Sequence, residues 1–187
     1  MDESPTENFE HVEHAEHVAH LGDAFLTQVS ITIAILAVVA ATVGSLETIE
    51  TAAAIGNKND AVFLQNKATD NWSFFQAKSI KKTNYEIAAA ANPALAEEFK
   101  AQSKRYEKEG EEIQAKGKEL DHQVDEKLET SEHHEHRHHI LTIGVTLLHI
   151  SIAIATIAII TRGKKWPWYS AVAMGAAGTV IAAIAYL

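Results

Sequence analysis

Three stretches of this chain contain no Asp, Glu, Lys or Arg: Ala24 to Leu46, Ile140 to Thr161 and Trp168 to Leu187, of 23, 22 and 20 residues. All 25 acidic and 16 basic residues are confined to the rest of the 187. A hydrocarbon core ~30 Å thick takes about 20 helical residues to cross, and every backbone amide must be satisfied inside the segment. The segregation therefore predicts an all-α integral membrane protein with three transmembrane helices, at 24–46, 140–161 and 168–187.

The acidic leader, residues 1–23, lacks Lys and Arg, so the first stretch reads as an uncleaved span rather than a signal peptide. Between the second and third spans, the loop 162–167 holds Arg162, Lys164 and Lys165. Short basic loops stay cytoplasmic, and Trp166, Trp168 and Tyr169 suit the headgroup level, so these six residues read as membrane-interface anchors. That orientation puts the N-terminus in the cytoplasm and residues 47–139 outside it. The absence of cysteine excludes disulfides and cysteine nucleophiles.

Residues 47–139 divide almost evenly about Asn92-Pro93, a pair that ends one helix and opens another. Beyond it, Leu95, Phe99, Gln102, Tyr106, Gly110, Ile113, Gly117, Leu120, Val124 and Leu128 recur at spacings of three and four, one seam of a coiled coil. Before it, Leu64, Ala68, Trp72, Phe75 and Ser79 form a shorter seam, continued by Tyr85, Ile87 and Ala88. Gly56 and Asn57 are expected to interrupt this arm, with Asp60 capping its restart. The prediction is a long antiparallel extramembrane helical hairpin of up to about 65 Å between the first and second spans. Gly110 and Gly117 either allow close approach across the seam or mark a kink.

The segment NKNDAVFLQNKATDNWSFFQAKSIKKTNYE (57–86) resembles the signature of a bacterial membrane family, domain of unknown function 4337. The later order is also similar: Tyr106 and its charged helix, an apolar span, the basic turn at 162–165, Trp168-Tyr169 and a Gly-containing last span. The resemblance covers roughly 24–187 and implies bacterial origin and three spans. It implies no established activity.

Several groups are candidates for function. Trp72, Phe74, Phe75, Lys78, Lys81 and Lys82 read either as packing plus a solvated basic face or as a partner or oligomer surface, whose composition suits an interface. Nucleic acid is excluded as a partner, because the loop is net negative, with 13 basic against 18 acidic residues. Histidine is abundant, at 11 copies. His11, His14, His17 and His20 recur every three residues, and His134, His136, His138 and His139 abut the second span; imidazoles at such spacings could bind a divalent transition metal. The alternatives are surface tracts without a ligand, or pH sensing beside lipid. No metalloprotease motif or closed zinc-site spacing occurs, and no resident cofactor is expected.

His149 lies about 13 Å into the second span, where an ionisable group reads as functional by default. Thr142 and Thr146 share its stripe with Ala153 and Thr156. Either a proton or ion path or a neutral imidazole bonded to a hydroxyl satisfies it. Small residues line one stripe of each remaining span: Ser30, Ala34, Ala37, Ala41 and Gly44 in the first, Ala171, Gly175, Gly178, Ala182 and Ala185 in the third.

The chain reads as a structural or interaction protein, a homo-oligomeric anchor or scaffold in the lipid bilayer presenting a coiled-coil hairpin to itself or to a protein partner. The alternative is a metal- or pH-responsive channel or transport accessory using the His clusters and His149. No catalytic residue stands out, so the chain is not expected to be an enzyme.

Overall fold

The computed structural model describes residues 24–161 and 164–187. Among them are three α-helices, α1 (Ala24–Ala91), α2 (Ala96–Ile160) and α3 (Trp166–Ile184), and a 3₁₀ turn at Pro93–Leu95. No strand occurs among the described residues. All three helices are long and apolar enough to cross a membrane.

α1 runs 68 residues without interruption, so the break expected at Gly56 does not occur. One glycine in a helix interior costs about 1 kcal/mol against alanine, too little to stop a long helix held by packing. Asp60 consequently lies within α1, where its carboxylate accepts from Lys127 Nζ at 2.9 Å. The turn at Asn92-Pro93 is where the sequence predicts it. Asn92 is extended (φ −133°, ψ 90°) and serves through its backbone: its carbonyl accepts from Leu95 N at 3.2 Å, and its side chain makes no capping bond. Glu97 and Glu98 occupy the first turn of α2, the favoured end for negative charge.

The chain forms two compact units, Ile55–Glu132 and the residues on either side of it, to Ala54 and from His133. In the first, the antiparallel halves of α1 and α2 meet along positions spaced alternately three and four apart. Ala61, Ala68, Ser103 and Val124 are buried, with Leu64, Phe75, Tyr85, Phe99, Tyr106, Ile113 and Leu120 half-buried. The expected seam needs correcting at its ends. Leu95 is exposed in the 3₁₀ turn ahead of α2, and Leu128 is exposed because the alternation after Val124 passes through Lys127 and Ser131 instead; Ile87 also faces outward.

The second unit packs the apolar parts of α1, α2 and α3 around Ile33, Leu36, Ala40, Val43, Leu141, Leu148, Ile152 and Ala155. Of the predicted third-span stripe, every member is buried: Ala171, Gly175, Gly178, Ala182 and Ala185. In α1 only part of the predicted stripe is buried. Ser30 and Ala37 are, but Ala34 and Gly44 are half-buried and Ala41 exposed. Larger residues there, Ile33 and Leu36 among them, carry the contact. Most threonines in these segments are satisfied locally, whereas the buried Ser30 hydroxyl has no hydrogen-bond partner among the described residues. The hydroxyls of Thr42, Thr48, Thr156 and Thr179 each donate to a carbonyl four residues back, at 2.9 to 3.0 Å.

Candidate functional site

Just past the charge-free stretch of α1, Glu47 and Glu50 project toward α2. They are three residues apart and so lie on one side of the helix, as do His134 and His138 at four apart. Antiparallel packing brings each glutamate to one histidine. His134 Nδ1 lies 2.5 Å from Glu50 Oε2, and Tyr186 at the end of α3 donates its hydroxyl to Glu50 Oε1 at 3.0 Å. Glu50 is only 5% exposed, so an unpaired charge there would be costly.

The protonation pattern follows from the partners. An ionised carboxylate only accepts, so His134 Nδ1 carries a proton. The Thr51 hydroxyl lies between the Glu47 carbonyl oxygen, 2.9 Å away, and His138 Nδ1, 2.8 Å away. Thr142 reaches Glu47 Oε1 at 2.6 Å, and His138 Nδ1 lies 3.8 Å from the same oxygen. Arg137 sits over the Tyr186 ring, 5.4 Å from its centroid. Burial alone would push the Glu50 carboxyl up. The hydrogen bonds from His134 and Tyr186, with the charges of His134 and Arg137, outweigh it and hold Glu50 below the ordinary carboxylate range.

This arrangement separates the predicted histidine cluster. His134 and His138 turn inward to carboxylates, whereas His136 and His139 are exposed. Among the described residues no group of three or more His, Asp or Glu could hold a metal ion. His11, His14, His17, His20 and Arg162 lie outside the described residues. His149 is half-buried on α2, beside buried Leu148. The Thr146 hydroxyl donates to the Thr142 carbonyl at 2.7 Å.

The aromatic–basic run is divided between the two faces of α1. Trp72 donates Nε1–H to Asp121 Oδ2 at 3.0 Å and stacks edge-on against Phe75, 5.8 Å between centroids. Both rings lie over glycines of α2: a methyl group on Gly117 would meet Trp72 at 3.0 Å, and one on Gly110 would meet Phe75 at 3.6 Å. Lys78 and Lys82 pair with Glu109 and Glu107, each at 2.6 Å. Of the six residues only Phe74 and Lys81 are exposed. At the start of α3, Trp168 turns inward, donating to Thr32 Oγ1 at 3.0 Å and meeting Phe25 edge-on. Trp166, Tyr169, Lys164 and Lys165 are exposed.

Glu47, Glu50, Thr51 and Tyr186 are the residues that inspection of the sequence overlooks. Reflection about Asn92-Pro93 was a usable signal for the glutamates, since it sets Glu47 opposite His138. Nothing comparable points to Tyr186.

Three helices of membrane-crossing length and apolarity, two of them also carrying a charged helical pair, define an all-α class of chain with one buried carboxylate–imidazole cluster. The model of the family described as a domain of unknown function (DUF4337) matches residues 25–187, and the chain belongs to that family. No curated protein and no solved structure matches it.

Proposed function

We propose that this protein is a three-span anchor of the bacterial inner membrane, acting as a homo-oligomeric scaffold that presents residues 47–139 outside the bilayer, and not as an enzyme. The observation that carries the reading is the outer surface of the apolar unit. Ile31, Ile35 and Val38 on α1, Ile143, Ile150 and Ile157 on α2, and Val180 and Ile184 on α3 are all exposed. Helices apolar on their outer as well as their inner faces suit lipid rather than water. The back-bonded threonines fit the same solvent, because each hydroxyl is satisfied within its own helix.

Alkaline carbonate extraction of membranes tests the anchor. The protein is expected to stay in the pellet, and release into the supernatant would end this reading. Reporter fusions at the Asn92-Pro93 turn and at the C-terminus test orientation, with both expected outside the cytoplasm. The mass of the detergent-purified protein tests oligomerisation.

One observation favours a second reading, a proton-responsive transport accessory: the buried Glu50 with its imidazole, phenol and guanidinium neighbours. Proton flux into liposomes holding wild type, Glu50→Gln or His149→Ala protein distinguishes it. Flux that is absent from wild type, or unaltered in both variants, sinks it.

A further inference from the structure

The exposed face of α1 in the unit 55–132 carries a second periodic stripe, opposite the seam that packs on α2. Positions 55, 59, 62, 66, 69, 73, 76, 80, 83, 87 and 90 alternate at spacings of four and three. They hold Ile55, Asn59, Val62, Asn66, Thr69, Ser73, Gln76, Ile80, Thr83, Ile87 and Ala90, and every one is exposed. No charged residue occurs among them, although this part of α1 carries Lys58, Asp60, Lys67, Asp70, Lys81 and Glu86 on its other sides. The corresponding outer face of α2 is the opposite in character, dense with Lys, Arg and Glu from Lys104 to Glu129. A helix that faces only water has no reason to keep eleven heptad-spaced positions neutral and four of them Ile or Val. A helix that packs on another helix does.

We propose that this stripe is the contact between two copies of the chain, α1 against α1 in parallel. The inference rests on the membrane-anchored, oligomeric reading above, which holds copies in one bilayer with the same orientation. Parallel copies related by a two-fold axis set each residue near the axis against its own equivalent. A charged face would then repel itself, and the neutral stripe does not. Asn59 and Asn66, seven residues apart, meet Asn59 and Asn66 of the second copy and can bond side chain to side chain, a device that fixes register. Thr69 and Ser73 demand no new partner on burial, since their hydroxyls already donate to the Gln65 and Thr69 carbonyls at 2.9 Å. The stripe is long enough. From 55 to 90 it extends ~50 Å, and at a helix width of about 10 Å it covers roughly 500 Å² per copy. The total of about 1,000 Å² reaches the lower bound for a specific interface.

The absence of cysteine makes the test direct. Asn59→Cys, Asn66→Cys and Ile80→Cys are introduced singly into the full chain in membranes, with Ala101→Cys and Ala115→Cys on the outer face of α2 as references. A short bismaleimide is the cross-linker, since imidazole-rich tracts complex a copper oxidant. Covalent dimers are expected at the three α1 positions at least tenfold faster than at the α2 positions. Adding Thr69→Lys and Ile80→Lys to Asn59→Cys should lower its cross-linking by at least tenfold. If the purified protein is oligomeric but the α1 positions react no faster than the α2 positions, the stripe is not the interface, while the oligomeric reading stands. A monomeric mass overturns both. Cross-linking to a different polypeptide overturns the assignment to a second copy.

Discussion

The two units use the same residue, glycine, to opposite ends. In the apolar unit, Gly144 of α2 and Gly178 of α3 bring backbone against backbone: a methyl group on Gly178 would lie 2.8 Å from the Gly144 carbonyl oxygen. In the charged unit, Gly110 and Gly117 of α2 are sockets, each filled by an aromatic ring from α1. In the bilayer setting proposed above, where water supplies no hydrophobic drive between helices, close backbone approach supplies the contact. In the charged unit, large rings bury apolar area instead, and glycine makes room for them. Charge follows the same division. The apolar unit buries Glu50, whereas the charged unit keeps its Lys78–Glu109 and Lys82–Glu107 pairs partly in water.

Four measurements press on this contrast. The largest effect is expected for Gly178→Leu. Its side chain meets backbone that cannot step aside, so the apolar unit should lose its packing, seen as loss of the monodisperse peak in detergent chromatography. Next is Glu50→Gln, expected to cost about 1–3 kcal/mol by leaving buried partners poorly matched. Because the folded pKa of Glu50 is depressed, its contribution is present above the ordinary carboxylate range and is lost as pH falls through the depressed value. The wild-type melting temperature should therefore fall on acidification below the carboxylate range, and that of Glu50→Gln should fall less. Equal slopes would remove Glu50 from the account.

Gly117→Ala should cost about 1 kcal/mol or slightly more. The methyl presses on Trp72 and Asn71, which are side chains able to shift, and alanine returns some helix propensity. A change in tryptophan emission should accompany it. The smallest effect has the other sign. Gly56 has nothing within 4 Å of an added methyl, so Gly56→Ala should stabilise by about 0.5–1 kcal/mol in thermal unfolding.

Much of the helical plan is legible because it rests on local rules. Charge segregation marks the three apolar helices, Asn92-Pro93 marks the turn, and Ala171-to-Ala185 marks the buried face of α3. The misreadings have one cause. At Gly56, local propensity suggests a break that packing along the whole helix overrides. At Leu128, apolar character suggests burial that the three–four alternation assigns to other positions. The Glu50 cluster is harder still, since a buried carboxylate is visible only once its partners are known, and Tyr186 reaches it from the end of another helix. The pairing of Lys78 with Glu109 and of Lys82 with Glu107 is likewise beyond local rules, since those glutamates lie far along the chain.

The Gly144–Gly178 contact has a consequence for descent. Neither position can gain a carbon until the helices part, and once they part the second glycine no longer has a role. Relatives that keep this packing should carry glycine at both positions, and relatives that have lost one should have drifted at the other. The pair should therefore be inherited as one character split between two codons 34 apart.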